Sequence, residues 1–175
     1  ELHTEKEVRI ETVLPAYKKS EVIKALLSAH PYEEPAFDLY PLQNIWTQAG
    51  AGVIGELETP ETELEFLKRI KKTFEVGCLK HNKLTGREIQ TVALCGGAGV
   101  FLMPLAIRNG ADVFITGEIK YHDYFGHDTD ILLAEIGHYE SEQYTKEIFY
   151  TIIRELFPNL ALQQCKVNTN PIKYL

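Results

Sequence analysis

The 175 residues carry 45% hydrophobic side chains and a formal net charge of -7, enough apolar material for the core of one domain or two small ones. Lys and Arg are mixed with Asp and Glu along the chain, leaving no basic stripe to displace counterions from a phosphate backbone, so no nucleic-acid partner is expected. No apolar run approaches the roughly 18 residues that span a bilayer, and the charged opening ELHTEKEVRIE is unlike a signal peptide, so the expectation is a cytoplasmic protein with no membrane partner.

In chain order, Glu7 to Pro15 (EVRIETVLP) alternates and is rich in β-branched residues, which predicts a strand. The chain opens on this pattern without Met, as a fragment or processed chain would. YKKSEVIKALLSAH follows with Val22, Ile23, Leu26 and Leu27 at helical spacing and Ser20 as its cap, and AFDLYPL alternates again. This β-α-β unit is half of a ferredoxin-like domain. The Gly-bearing, aperiodic stretch from Gln43 to Gly52 places a boundary, giving domains over 1–50 and 51–175.

Beyond it, VIGEL predicts a short strand. TPETELEFLKRIKKTF predicts a helix with a capping box over Thr62 to Glu65 and Leu64, Leu67 and Ile70 on one face. Three apolar runs then each lead through a glycine turn into a helical pattern. TVAL leads through CGGAG into VFLMPLAIRNG, DVFI through TGE into IKYHDYFGHD, and ILLAEI through GHYESE into a long final helix. The fold class is therefore α/β, a mainly parallel sheet with helices on both faces, preceded by the ferredoxin-like half-domain. In a parallel sheet every strand-to-helix turn lies on the carboxyl edge, so the three turns converge on one rim.

That rim carries the candidate chemistry. CGGAG offers small positions with NH groups able to face an anion, or glycines that only permit a tight turn; it has neither the phosphate-loop nor the dinucleotide spacing. In TGEIKYHD, Glu118 and His122 stand four apart with Lys120 between, either a surface helix pair or, after a buried strand, co-ligands or acid/base groups. In GHYESE, His138 and Glu142 form a second such pair, explicable as a helix start but better as ligands once two His/Glu pairs share a rim. Nitrogen and oxygen donors of this mixture suit Zn, Mn or Fe.

His30 to Pro35 (HPYEEP) reads as a structural turn in which Pro31 stops a helix, and His3, His81 and His127 receive no role. Trp46 reads as a packing or oligomer contact. Cys78, Cys95 and Cys165 are odd in number and lack a C-x-x-C pair, which predicts reduced core thiols rather than disulfides or a cysteine zinc site.

HPYEEPAFDLYPL, GADVFITGEIKYHD and GHYESE, in this order, resemble the Nif-three-like proteins, also known as GTP cyclohydrolase type two homologues. The resemblance covers nearly the whole chain. It implies two similar α/β lobes with a ferredoxin-like domain inserted between them, assembled as ring-shaped hexamers around a two-metal site. On that pattern His138 and Glu142 match the metal ligands of the C-terminal lobe, and TGEIKYH lines the same cavity with Gly96, Gly97 and Lys120. Glu118 and His122 are then groups that support the ligands or move protons.

The family's other ligands, adjacent histidines and an acidic residue of an N-terminal lobe, have no counterpart here. The first strand matches the second half of the inserted domain. The resemblance thus implies a dinuclear metal-dependent hydrolase carrying half its site, so that metal binding by this chain alone is weak or absent. The missing N-terminal lobe is its expected partner, in a homo-oligomer of at least two copies. The alternative is a metal-handling or regulatory protein without turnover.

Overall fold

The computed structural model describes residues 6–44 and 49–175. The chain divides into two compact units, Glu1–Ile45 and Trp46–Leu175. The smaller is built on one helix, α1 (Lys19–Ala29), entered through a 3-10 turn at Ala16–Lys18. Its cap position is Lys18, without a side-chain cap bond, so Ser20 lies inside the helix and is not the cap predicted for it. The strands expected over 7–15 and in AFDLYPL form no ladder among the described residues. Val8, Ile10 and Val13 are 88%, 86% and 79% exposed: an alternating pattern makes a strand only when another strand accepts its hydrogen bonds. HPYEEP is a bend, with the Tyr32 amide donating to His30 Nδ1 at 3.1 Å.

The larger unit is a five-stranded sheet of β1 (Val53–Thr62), β2 (Lys80–His81), β3 (Glu88–Cys95), β4 (Val113–Thr116) and β5 (Leu132–Glu135), in the order β1-β3-β4-β5-β2. Its centre, β3-β4-β5, is parallel as expected from the three apolar runs, and the two edges are antiparallel. β1 continues past VIGEL through Pro60 to Thr62, with an irregularity between Glu56 and Glu61; an edge strand tolerates both proline and bulge.

Alternation sorts the central strands into two cores. Val113, Ile115, Leu132 and Ala134 face α2 (Glu63–Thr73) through Phe66, Leu67 and Ile70, while Phe114 and Leu133 face α3 (Met103–Arg108) through Met103 and Ala106. Burial on both sides explains why these strands read as unbroken apolar runs. The predicted cap of α2 is present, since Thr62 Oγ1 accepts from the Glu65 amide at 3.4 Å and donates to Glu65 Oε2 at 2.8 Å. Of the cysteines, all free, only Cys95 belongs to the core; Cys78 and Cys165 are exposed, contrary to the expectation of core thiols.

Two helical expectations on the rim are corrected. IKYHDYFGHD forms only a 3-10 turn at Tyr121–Tyr124, because Lys120 is extended (φ -70°, ψ 151°); Glu118 and His122 therefore do not share a helical face. The final helix breaks at Gln143 and Tyr144 into α4 (His138–Glu142) and α5 (Thr145–Leu156). The last residues of the parallel strands, Cys95, Thr116 and Glu135, are in register, so the three glycine turns leave the sheet at one level.

Candidate metal centre

The turns are tied to one another through the backbone of Gly97. Its carbonyl accepts from the amides of Gly117 (2.9 Å) and Glu118 (3.1 Å) and from Thr116 Oγ1 (3.1 Å), while Thr116 Oγ1 accepts from the Gly99 amide at 3.0 Å. Its amide donates to Ser141 Oγ at 2.9 Å, and Ser141 in turn donates to the His138 carbonyl at 2.8 Å. One residue of the first turn thus binds the second turn and α4 together. The approach leaves no room for side chains: a Cβ on Gly117 would stand 2.7 Å from the Gly97 carbonyl oxygen. At Gly97, with φ +61°, a Cβ would overlap the Glu142 carboxylate and lie 3.3 Å from His138 Nε2.

Against this turn sit the two residues singled out in GHYESE. His138 and Glu142 are the first and last residues of α4, one turn apart, with Nε2 and Oε2 3.4 Å from each other. The opposite ring nitrogen, Nδ1, lies 2.8 Å from Glu118 Oε1. Nδ1 is thereby paired with Glu118, and Nε2 is the ring nitrogen left facing Glu142, the one whose lone pair a cation between them would take. A separation of about 3.4 Å is the edge of a tetrahedron with bonds of about 2.1 Å, the length of zinc bonds to imidazole and carboxylate. His138 Nε2 and Glu142 Oε2 therefore fit one divalent cation, with Glu118 setting the ring as carboxylates do behind metal-binding histidines.

Glu118 stands on the far side of the ring and does not converge with the other two. Among the described residues no group of three His, Cys, Asp or Glu side chains is arranged to hold a metal ion. Gly96 lies against α4, a Cβ there reaching 3.6 Å from Glu142 Cγ. Lys120 is exposed in its extended link. His122 is turned into a ring cluster, its centroid 5.3 Å from Tyr121 and 6.4 Å from Phe125. Beneath the turn, Cys95 donates to the Ala51 carbonyl at 3.1 Å; burial, then the Glu142 charge, pushes its thiol up from the ordinary range.

The cavity at this site, about 650 Å³, is bounded by Glu118, His138 and Glu142 and, across from them, by the C-terminal segment around Val167 and Thr169. Sequence reading passed over that segment and the pins Ser141 and Thr116. A lone hydroxyl carries no spacing signal, and the only cue in the tail is its Asn-Thr-Asn-Pro turn chemistry.

The fold is that of an α/β protein whose glycine turns on the carboxyl rim bring His138, Glu142 and Glu118 together. Residues 3–171 match the family described as Duf34/NIF3 (NGG1p interacting factor 3), and the chain belongs to that family. It is 34% identical over 175 residues to a Halalkalibacterium halodurans protein named GTP cyclohydrolase 1 type 2 homolog, covering 97% of this chain and 46% of the relative. A Staphylococcus aureus crystal structure superposes with a TM-score of 0.73 at 28% identity, covering 95% of this chain and 55% of that one. A Bacillus cereus protein related to NIF3 gives 0.66 at 30% identity, covering 93% and 46%. The chain spans about half the length of the relatives it matches.

Proposed function

We propose that this chain supplies His138 and Glu142 as two ligands of a divalent-metal site, Zn, Mn or Fe, in a metal-dependent hydrolase whose relatives bear the cyclohydrolase name. The observation that supports it best is the 3.4 Å separation of Nε2 and Oε2, with Glu118 holding the other side of the ring. A cation held there supplies a Lewis acid that makes water nucleophilic near neutral pH. Around it the chain's own groups act simply: Glu118 keeps the Nδ1 proton in place, Gly97 leaves space for the Glu142 carboxylate, and Ser141 holds both to the turn.

Two donors hold a metal weakly. The remaining ligands come from a further lobe or a neighbouring copy, and the exposed Val8, Ile10 and Val13 support association into at least a dimer. No described helix is long and apolar enough to cross a membrane, which accords with a cytoplasmic place for the assembly.

Calorimetric titration of Zn or Mn into the chain tests the site. Weak binding that His138→Ala removes is expected; tight stoichiometric binding, or binding indifferent to His138, would contradict the two-donor reading. A metal-handling role without turnover is distinguished in the metal-loaded assembly: product release that His138→Ala abolishes marks the enzyme, and bound metal with background turnover marks the handler.

A further inference from the structure

The C-terminal segment is held in place by a partner within α4. Glu140, 6% exposed between the two proposed ligands, turns its carboxylate away from them and accepts from Asn170 Nδ2 at 3.0 Å. Asn170 Oδ1 accepts from the Ile172 amide at 3.0 Å, and the Asn170 amide donates to Asn168 Oδ1 at 2.8 Å, so both faces of this side chain are used in shaping the turn. Tyr174 follows, its ring packed against Gly77 and its phenol beside the same Glu140 carboxylate. Clamped in this way, the segment presents Val167 and Ile172, 68% and 51% exposed, to the cavity that Glu118 and Glu142 bound from the other side.

Two carboxylates against one ammonium, Lys146, leave the near side of the cavity with an excess of negative charge, and it faces a segment that offers apolar Val167 and Ile172 beside polar Thr169. We propose that the segment from Cys165 to Ile172 is the ligand-selecting wall of this site. It admits small molecules that bring positive charge to Glu118 and Glu142 while lying with an apolar flank along Val167 and Ile172. The charge is carried either by the molecule itself or by a divalent cation bound with it, and the second source rests on the metal reading above. The clamp between Glu140 and Asn170 keeps the wall closed, which makes Asn170 a positioning residue for the site although it faces away from the metal-binding atoms.

Cys165 lies on this wall and reports on it, Cys78 is exposed beside the Tyr174 end of the same segment, and Cys95 is buried. The test is thiol-disulfide exchange, followed by peptide mass spectrometry, with cationic cystamine or anionic dithiodipropionate, each leaving one mixed disulfide and releasing one thiol. The labelling rate of Cys165 is normalised to that of free glutathione in the same tube, and a silent Cys95 certifies that each variant is folded. The preference of Cys165 for cystamine should be about threefold higher in the wild-type chain than in Asn170→Ala, where the wall swings free of the carboxylates, and Glu142→Gln should lower it with the wall in place.

Equal preferences in wild type and Asn170→Ala would overturn the proposal. Mn, a poor thiol ligand, should reduce the wild-type preference by neutralising the carboxylates. Should Mn, at a concentration that saturates the calorimetric binding, change nothing while the Asn170→Ala difference persists, the metal reading fails and the wall stands.

Discussion

On one side of the His138 ring Glu118 pairs with Nδ1, and on the other Nε2 looks across 3.4 Å to Glu142. Neither side chain is buried, so the geometry rests on contacts rather than on a closed pocket. Replacing Glu118 with Ala frees the ring to rotate and change tautomer, and metal affinity should fall about 10- to 100-fold with little change in melting temperature. Calorimetry beside a thermal melt checks this; unchanged affinity would remove Glu118 from the site. Gly97→Ala combines a left-handed backbone with an overlap on the Glu142 carboxylate. It should cost about 1–3 kcal/mol in urea unfolding and displace the Glu142 carboxylate from His138 Nε2.

At the scale of elements, buried polar groups pin the connections. Glu63, at the start of α2, accepts from the amides of Thr85 (2.7 Å) and Gly86 (2.9 Å) and from Thr85 Oγ1 (2.8 Å). Glu63→Ala orphans these donors and should cost about 2 kcal/mol or more in urea unfolding. Tyr124 ties the 3-10 turn to β5 by donating to Glu135 Oε2 at 2.8 Å. Burial first, then that hydrogen bond and the carboxylate's charge, raises its pKa far above the ordinary tyrosine value.

A raised folded-state pKa gives stability that is complete below the unfolded value of about 10 and drains away as pH climbs from there toward the folded value. The urea midpoint should therefore fall from pH 10 upward. Tyr124→Phe should be weaker by about 1 kcal/mol at pH 8 and flatter above 10.

The same elements show what was legible in the sequence. TVAL, DVFI and ILLAEI announced a parallel sheet because both their faces are buried, and parallel topology then placed the turns on one rim. The Glu118 and His122 spacing misled because helical spacing means nothing where Lys120 leaves the helical region; Glu118 came to His138 through the Gly97 carbonyl instead. Ser141 and Asn170 were invisible for a related reason, since each acts through one contact distant in sequence.

For the whole molecule, the decisive fact is length: the chain corresponds to about half of its relatives, and among the described residues no three His, Cys, Asp or Glu side chains converge on one point. Its smaller unit leaves alternating apolar residues exposed. Light scattering should therefore find at least a dimer, and Val8→Lys with Ile10→Lys should weaken it; a wild-type monomer at high concentration would contradict this.

The central claim, that His138 and Glu142 close on one cation, is tested most directly by Mn added to the isotope-labelled chain. Paramagnetic broadening works even when binding is weak. It should centre on the His138 ring and the Gly97 and Glu142 amides and leave the His122 ring sharp. Broadening centred elsewhere, or unchanged by His138→Ala, would contradict the account.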